Sequence, residues 1–278
     1  MTSPDLFDAK ALRLHRARAA ADFATYGFLY EASAEMLVDR AFDISRKFSA
    51  VAELGWRDQS FMPALKAKLN LDAAYTQVAI SEGQALPLAP ASQDLILSNL
   101  CLHWIADLPG LLAQIKAALK PDGLFVATLF GGETLAALHQ AFLQADSELS
   151  QGASPRVAPR IGLQDAAGLL QRAGFALPVA DIQTFEASYA DPIALMHDLR
   201  GMAETNALTG RLKTFTRRDT LMRAAQLYSQ LEPAEDGRCL AKFDVITLTG
   251  WAPAPTQQKP LKPGQGKVSL VDFLKDPK

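Results

Sequence analysis

Three stretches of the chain set residues able to do chemistry just after apolar runs that read as buried strands. "SNLCLHW" (98–104) closes the run "QDLILS" and carries Asn99, Cys101, His103 and Trp104. An imidazole with its ordinary pKa near neutrality can serve as a base or orient a substrate carbonyl, which makes His103 a catalytic candidate. The competing reading is that "LHW" packs the helix that follows. "LFGGETL" (129–135) ends the next apolar run. Its Gly131–Gly132 turn can receive an anion at a helix start, with Glu133 as a second catalytic candidate, although Glu133 and Thr134 equally suit a helix N-terminus. "VAELGWRDQSF" (51–61) places an acid, Glu53, near the end of an apolar strand and a single glycine, Gly55, in the turn after it. A cofactor turn usually holds several glycines, because they let backbone approach a ligand and adopt dihedrals that side chains disfavour.

These groups need a scaffold, and the hydrophobic pattern supplies an alternating one. Strands are expected at 50–54, 75–80, 93–100, 124–130, 175–189 and 239–253. Helices are expected at 59–69, 107–119, 133–149, 163–173, 191–206 and 217–231, with two more over 9–46 broken near "YGF" (26–28). "KPDG" (120–123) ends one helix firmly, and Gly174 ends another. Strands apolar throughout and separated by helices imply a mostly parallel, doubly wound α/β sheet covered on both faces, with one antiparallel strand added at an edge. Ligands in such sheets sit beyond the carboxyl ends of the strands, so the loops named above all fall at one end of the sheet.

Composition narrows the function classes. The chain has 278 residues, 49% of them hydrophobic, enough for one substantial core. With 28 Lys and Arg against 30 Asp and Glu, the net charge of −2 gives no electrostatic argument for nucleic acid, and the basic runs "HRARAA" and "RRD" lack interleaved aromatics. Two cysteines exclude a dense disulfide framework and a cysteine-rich zinc site, and the four scattered histidines suggest no metal site. No apolar run approaches the ~20 residues that span a bilayer.

The stretch from Leu86 to Leu135 resembles the class I S-adenosylmethionine-dependent methyltransferases. "LKPDG" before an apolar strand is common to that superfamily. "SNLCLHW", "LFGGETL", "SPRVAPR", "LLQRAGFALPVAD", "DLRGMAETNAL" and "KPLKPGQGKVSLVDF" are similar to its respiratory complex I assembly-factor branch, related to the biotin-synthesis carboxyl methyltransferases. The resemblance runs across nearly the whole chain. It implies a methyltransferase-like domain at 49–252 with N-terminal helices at 1–48, a helical lid inserted at about 188–237, and a Pro/Lys-rich tail at 253–278. It implies S-adenosylmethionine as the ancestral cofactor, and a protein substrate, a complex I subunit, whose arginine is hydroxylated by eukaryotic members. The chain then looks like a bacterial relative, cytoplasmic or peripheral at the inner membrane.

Residue by residue, the resemblance implies cofactor contacts from Glu53, Gly55, Asn99 and Trp104, and from Glu82, which falls where the family places an acid near the adenine. It raises the lid residues Arg200, Glu204 and Asn206, with Arg200 and Asn206 as catalytic candidates. The chain departs from the pattern after the strand expected at 50–54. The family's Asp-Leu-Gly-Cys-Gly-x-Gly reads here Glu53-Leu54-Gly55-Trp56-Arg57-Asp58-Gln59. Only 31 residues separate Gly55 from Pro87, where two helices, two strands and their loops take about 48. One strand–helix unit is therefore expected to be missing, together with the acid that binds the ribose. Three functions remain open: a complex I assembly or modification factor with a degraded cofactor loop, an active methyltransferase, and a non-catalytic binding scaffold.

Overall fold

A computed structural model describes residues 6–42, 44, 46–57, 74–81, 83–149 and 152–258. The helix expected at 59–69, Glu82 and most of the tail lie outside the described residues, as does the segment (58–73) on which the missing unit turns.

Six strands form one sheet in the order β2-β1-β3-β4-β6-β5. They are β1 (Ala50–Leu54), β2 (Ala74–Val78), β3 (Gln93–Ser98), β4 (Leu119–Gly131), β5 (Ala176–Tyr189) and β6 (Cys239–Trp251). Pairing is parallel from β2 through β4, and β6 runs antiparallel to both β4 and β5. The antiparallel strand thus lies one position in from the edge, and β5 is the edge. β4 begins earlier than "LFVATLF" suggests: Leu119 already pairs with Gln93, and the turn at "KPDG" bends the strand through Asp122 at φ 62°.

Alternation along the strands splits the core between the two faces. Ile96 and Phe125 point to α4 (Leu108–Ala118) and α6 (Leu163–Ala173), joining Leu112, Ile115 and Leu170. Leu95, Leu97, Leu124 and Val126 point the other way, to Leu37 and Val38 of α3 (Phe28–Phe42). The same face carries α5 (Ala136–Leu149), α7 (Pro192–Gly201) and α8 (Arg218–Leu231) toward the sheet's antiparallel side. At the N-terminus, α1 (Ala9–Ala19) and the one-turn α2 (Phe23–Tyr26) precede α3; the expected break at "YGF" falls at Gly27, and a second break lies at 20–22. Caps match their sequences: Asp107 accepts from Gly110 N at 2.9 Å, Asp191 accepts from Ile193 N and Ala194 N, and Gly174 closes α6 at φ 79°.

Candidate active site

The loops after β1, β3 and β4 converge at the carboxyl ends of the parallel strands, and the loop after α7 comes down over them. The end of α7 decides what arrives there. Ala203 takes the left-handed conformation (φ 62°), its N–H donates to Arg200 O at 3.2 Å, and Glu204 N donates to Leu199 O at 2.7 Å. This double closure is a Schellman motif with alanine in the position glycine usually fills. It turns the chain so that the Glu204 side chain, 2% exposed, enters the interior.

Four side chains from three elements meet that carboxylate. Oε1 accepts from Tyr30 Oη (2.5 Å, α3), Arg57 Nη2 (3.0 Å, β1 loop) and Trp104 Nε1 (3.1 Å, β3 loop), and Oε2 lies 3.1 Å from His103 Nε2. The Arg57 guanidinium also sits over the Tyr30 ring, 5.4 Å from its centroid. Burial alone would raise the Glu204 pKa, but His103, Arg57 and the Tyr30 hydroxyl outweigh it and hold the carboxyl well below its usual range. Glu204 is ionised, and an ionised carboxylate only accepts. His103 Nε2 therefore carries the proton of the contact. Its Nδ1, buried and without a hydrogen-bond partner, is left as a lone pair. A carboxylate that fixes the imidazole tautomer and leaves the other nitrogen basic is the arrangement of a general base.

Burial lowers the His103 pKa more than Glu204 raises it. A folded value below the unfolded ~6.5 means that the unfolded chain binds the proton more readily, so this contribution to stability is present above about pH 6.5 and shrinks as pH falls below it. Urea midpoints followed from pH 8 to pH 5 should fall on the acid side, and His103→Gln should flatten that limb.

The other expected site residues occupy different places. Glu53, 2% exposed, is bound on Oε2 by Tyr75 Oη and by Gln77 Nε2 at 3.1 Å, both from β2. Gly55 takes φ 70° and donates its N–H to Val78 O at 2.9 Å, and the space a Cβ would need is filled by Cys101 Sγ at 2.2 Å. Asn99 is a tie between layers: Oδ1 accepts from Ser33 Oγ (2.6 Å) and Thr128 Oγ1 (2.8 Å), and Nδ2 donates to Tyr30 O (2.8 Å). It holds the helix that presents Tyr30.

The Gly-Gly turn is occupied from within. Asp244 Oδ2 accepts from Glu133 N at 2.8 Å and would lie 2.4 Å from a Cβ on Gly132, while the Glu133 side chain is exposed. Arg200 is exposed on α7, outside the Glu204 cluster. Asn206 pins the lid loop to the 154–160 loop, donating to Pro155 O at 2.8 Å and accepting from Leu208 N at 3.0 Å. Of the expected residues, the structure brings His103, Trp104 and Glu204 together and adds Tyr30 and Arg57. The signal for Arg57 was a charged residue in a turn that normally tolerates only glycine. Tyr30 gave none, because one aromatic on an amphipathic helix reads as core. Among the described residues, no three His, Cys, Asp or Glu are placed to hold a metal ion, and no helix is long and apolar enough to cross a membrane.

The sequence matches a methyltransferase domain family over residues 40–127. It is 32% identical to the zebrafish (Danio rerio) mitochondrial arginine-hydroxylase NDUFAF5, over 98% of this chain and 90% of that one. The mouse (Mus musculus) protein of the same name is also 32% identical, over 99% of this chain and 86% of its own. The malonyl-[acyl-carrier protein] O-methyltransferase of Xylella fastidiosa is 39% identical over 69% of this chain and 63% of its own. Matching the NDUFAF5 proteins nearly end to end, the chain belongs to the methyltransferase-like family of the NDUFAF5 arginine-hydroxylases.

Proposed function

We propose that this chain modifies a protein substrate during respiratory complex I assembly, acting on an arginine side chain, with His103 as proton acceptor and Glu204 as the residue that orients it. The observation that carries the reading is the buried His103–Glu204 contact at 3.1 Å with Nδ1 left unpaired. The arginine comes from the name of the full-length relatives. Arginine hydroxylation consumes dioxygen with two electrons and two protons from an external reductant and releases water, so those co-reactants must be supplied to the chain. Deleting the gene in its host should leave a complex I subunit peptide lacking one oxygen on arginine, read by mass spectrometry. Complementation with His103→Gln should not restore it. A peptide unchanged by the deletion would leave scaffolding as the function.

The second reading is S-adenosylmethionine-dependent methyl transfer, which the methyltransferase domain favours. The residues around the β1 loop do not fit that cofactor in the described conformation. Cys101 covers Gly55, Arg57 fills the turn and is locked to Glu204, and Glu53 is engaged by Tyr75 and Gln77. When bound, the cofactor would supply the methyl group. Ligand at about 100 times its Kd stabilises a protein by roughly 2.7 kcal/mol, a shift of a few degrees for a chain of this size. Thermal melts at millimolar S-adenosylmethionine or S-adenosylhomocysteine should show no shift. A saturable rise with either would restore the methyltransferase reading.

A further inference from the structure

The motif "SPRVAPR" contributes two arginines of opposite kinds. Arg156 is held by Asp146 (2.7 and 2.8 Å), with Nη1 on Thr216 Oγ1 at 3.0 Å. Arg160 has no ion-pair partner among the described residues, and its Nε and Nη1 are buried without a hydrogen bond. Arg211, the remaining arginine of this region, is paired with Asp8 at 2.9 Å. Glu204 is already matched by Arg57. Of Arg156, Arg160 and Arg211, Arg160 is left without a counter-charge; the residue is half-buried, with its Nε and Nη1 shielded from water, where an unpaired charge is costly. Burial lowers the Arg160 pKa despite the attraction of Glu204.

Arg160 lies where two cavities meet. The larger, about 880 Å³, is walled mostly by apolar side chains, among them Leu6, Leu135, Val157 and Leu208. The smaller, about 420 Å³, extends to Trp104 and Glu204. Arg160 lines both. A space of this volume with one half-buried cation and apolar walls suits a small ligand that has a charged end and an apolar body.

We propose that Arg160 binds the carboxylate of an anionic ligand whose apolar body lies in the larger cavity. A carboxylate brings one negative charge, equal to the one left unmatched, whereas a phosphate monoester brings about −1.5 to −2. Guanidinium geometry suits a planar carboxylate, and the apolar walls beside it strengthen the pairing. The site adjoins the His103–Glu204 pair through the smaller cavity, but the carboxylate at Arg160 takes no part in the proton transfer proposed there and does not depend on whether S-adenosylmethionine binds.

The full chain is melted and titrated calorimetrically with hexanoate, hexanamide, inorganic phosphate and a terminally blocked Leu-Glu-Leu peptide. Hexanoate should raise Tm saturably, while hexanamide and phosphate should not. A response to the peptide instead of hexanoate would support the site and place its ligand on a partner protein. Arg160→Met removes an unmatched, half-buried charge, so it should raise the Tm of the ligand-free protein and abolish the response. Arg160→Lys keeps the charge but not the planar fork and should bind about tenfold more weakly. Three results would overturn the proposal: equal stabilisation by hexanamide or phosphate, no response to hexanoate or peptide, or a lower ligand-free Tm for Arg160→Met.

Discussion

Glu204→Ala should destabilise the protein by about 3–5 kcal/mol, the usual effect of breaking a buried ion pair from one side. The carboxylate is 2% exposed and its partner Arg57 is 6% exposed, so deleting the acid strands a guanidinium that water cannot reach. Arg57 Nε and Nη1 are already without partners, and losing Nη2 as well leaves the group entirely unmatched. Tyr30 Oη and Trp104 Nε1 lose their acceptor at the same time. Urea unfolding of the variant should show a lower midpoint with an unchanged m value. Arg57→Met/Glu204→Met removes both charges and keeps apolar volume, and it should be more stable than Glu204→Ala by the cost of the stranded guanidinium, while the unsatisfied Tyr30, His103 and Trp104 donors keep it below the parent. A double variant as unstable as Glu204→Ala would mean that the two residues do not share one buried environment. Glu204→Gln keeps the shape and one acceptor oxygen but no charge, so its loss should fall between the two.

That cluster was legible in the sequence only in part, for physical reasons. Strands such as "QDLILS" announce themselves because burial on both faces makes the central run Leu95–Leu97 apolar at consecutive positions, and the cap residues Asp107, Asp191 and Gly174 act within a few residues of themselves. Glu204 is different. It meets Tyr30 across 174 residues and His103 across 101, and no local pattern encodes contacts at that range. A glutamate after a helix looks like surface until the Schellman closure at Ala203 turns it inward. Asn99 shows the converse: its position at a strand end suggests ligand contact, yet three intramolecular hydrogen bonds use its amide. Arg57 was visible as a departure from a glycine pattern, but a departure records what is absent and cannot show what the new side chain reaches. The 154–160 loop gave its arginines together in one motif, while only the fold separates the paired Arg156 from the unmatched Arg160.

Gly55→Ala carries the second large effect and tests whether the β1 loop is a structural turn. The residue sits at φ 70°, where an added Cβ costs roughly 1–2 kcal/mol from backbone strain. That Cβ would also stand 2.2 Å from Cys101 Sγ and 3.2 Å from Ile80 Cγ1, inside a packed core. Overpacking of this kind adds about 1–3 kcal/mol, so a total loss of roughly 2–5 kcal/mol is expected in chemical denaturation. Cys101 is fully buried, and Cys101→Ala alone should be mildly destabilising because it opens a small void. In the double variant the alanine at 55 has somewhere to go, so the two losses should fall short of their sum by about 1 kcal/mol or more. The backbone penalty should remain, since no space relieves a left-handed dihedral. Strict additivity would place Cys101 away from Gly55 and leave that side of the turn open to a ligand. A strong coupling would fix the turn as a packed joint between the first and third strands, with the space above Gly55 held by the protein's own sulfur.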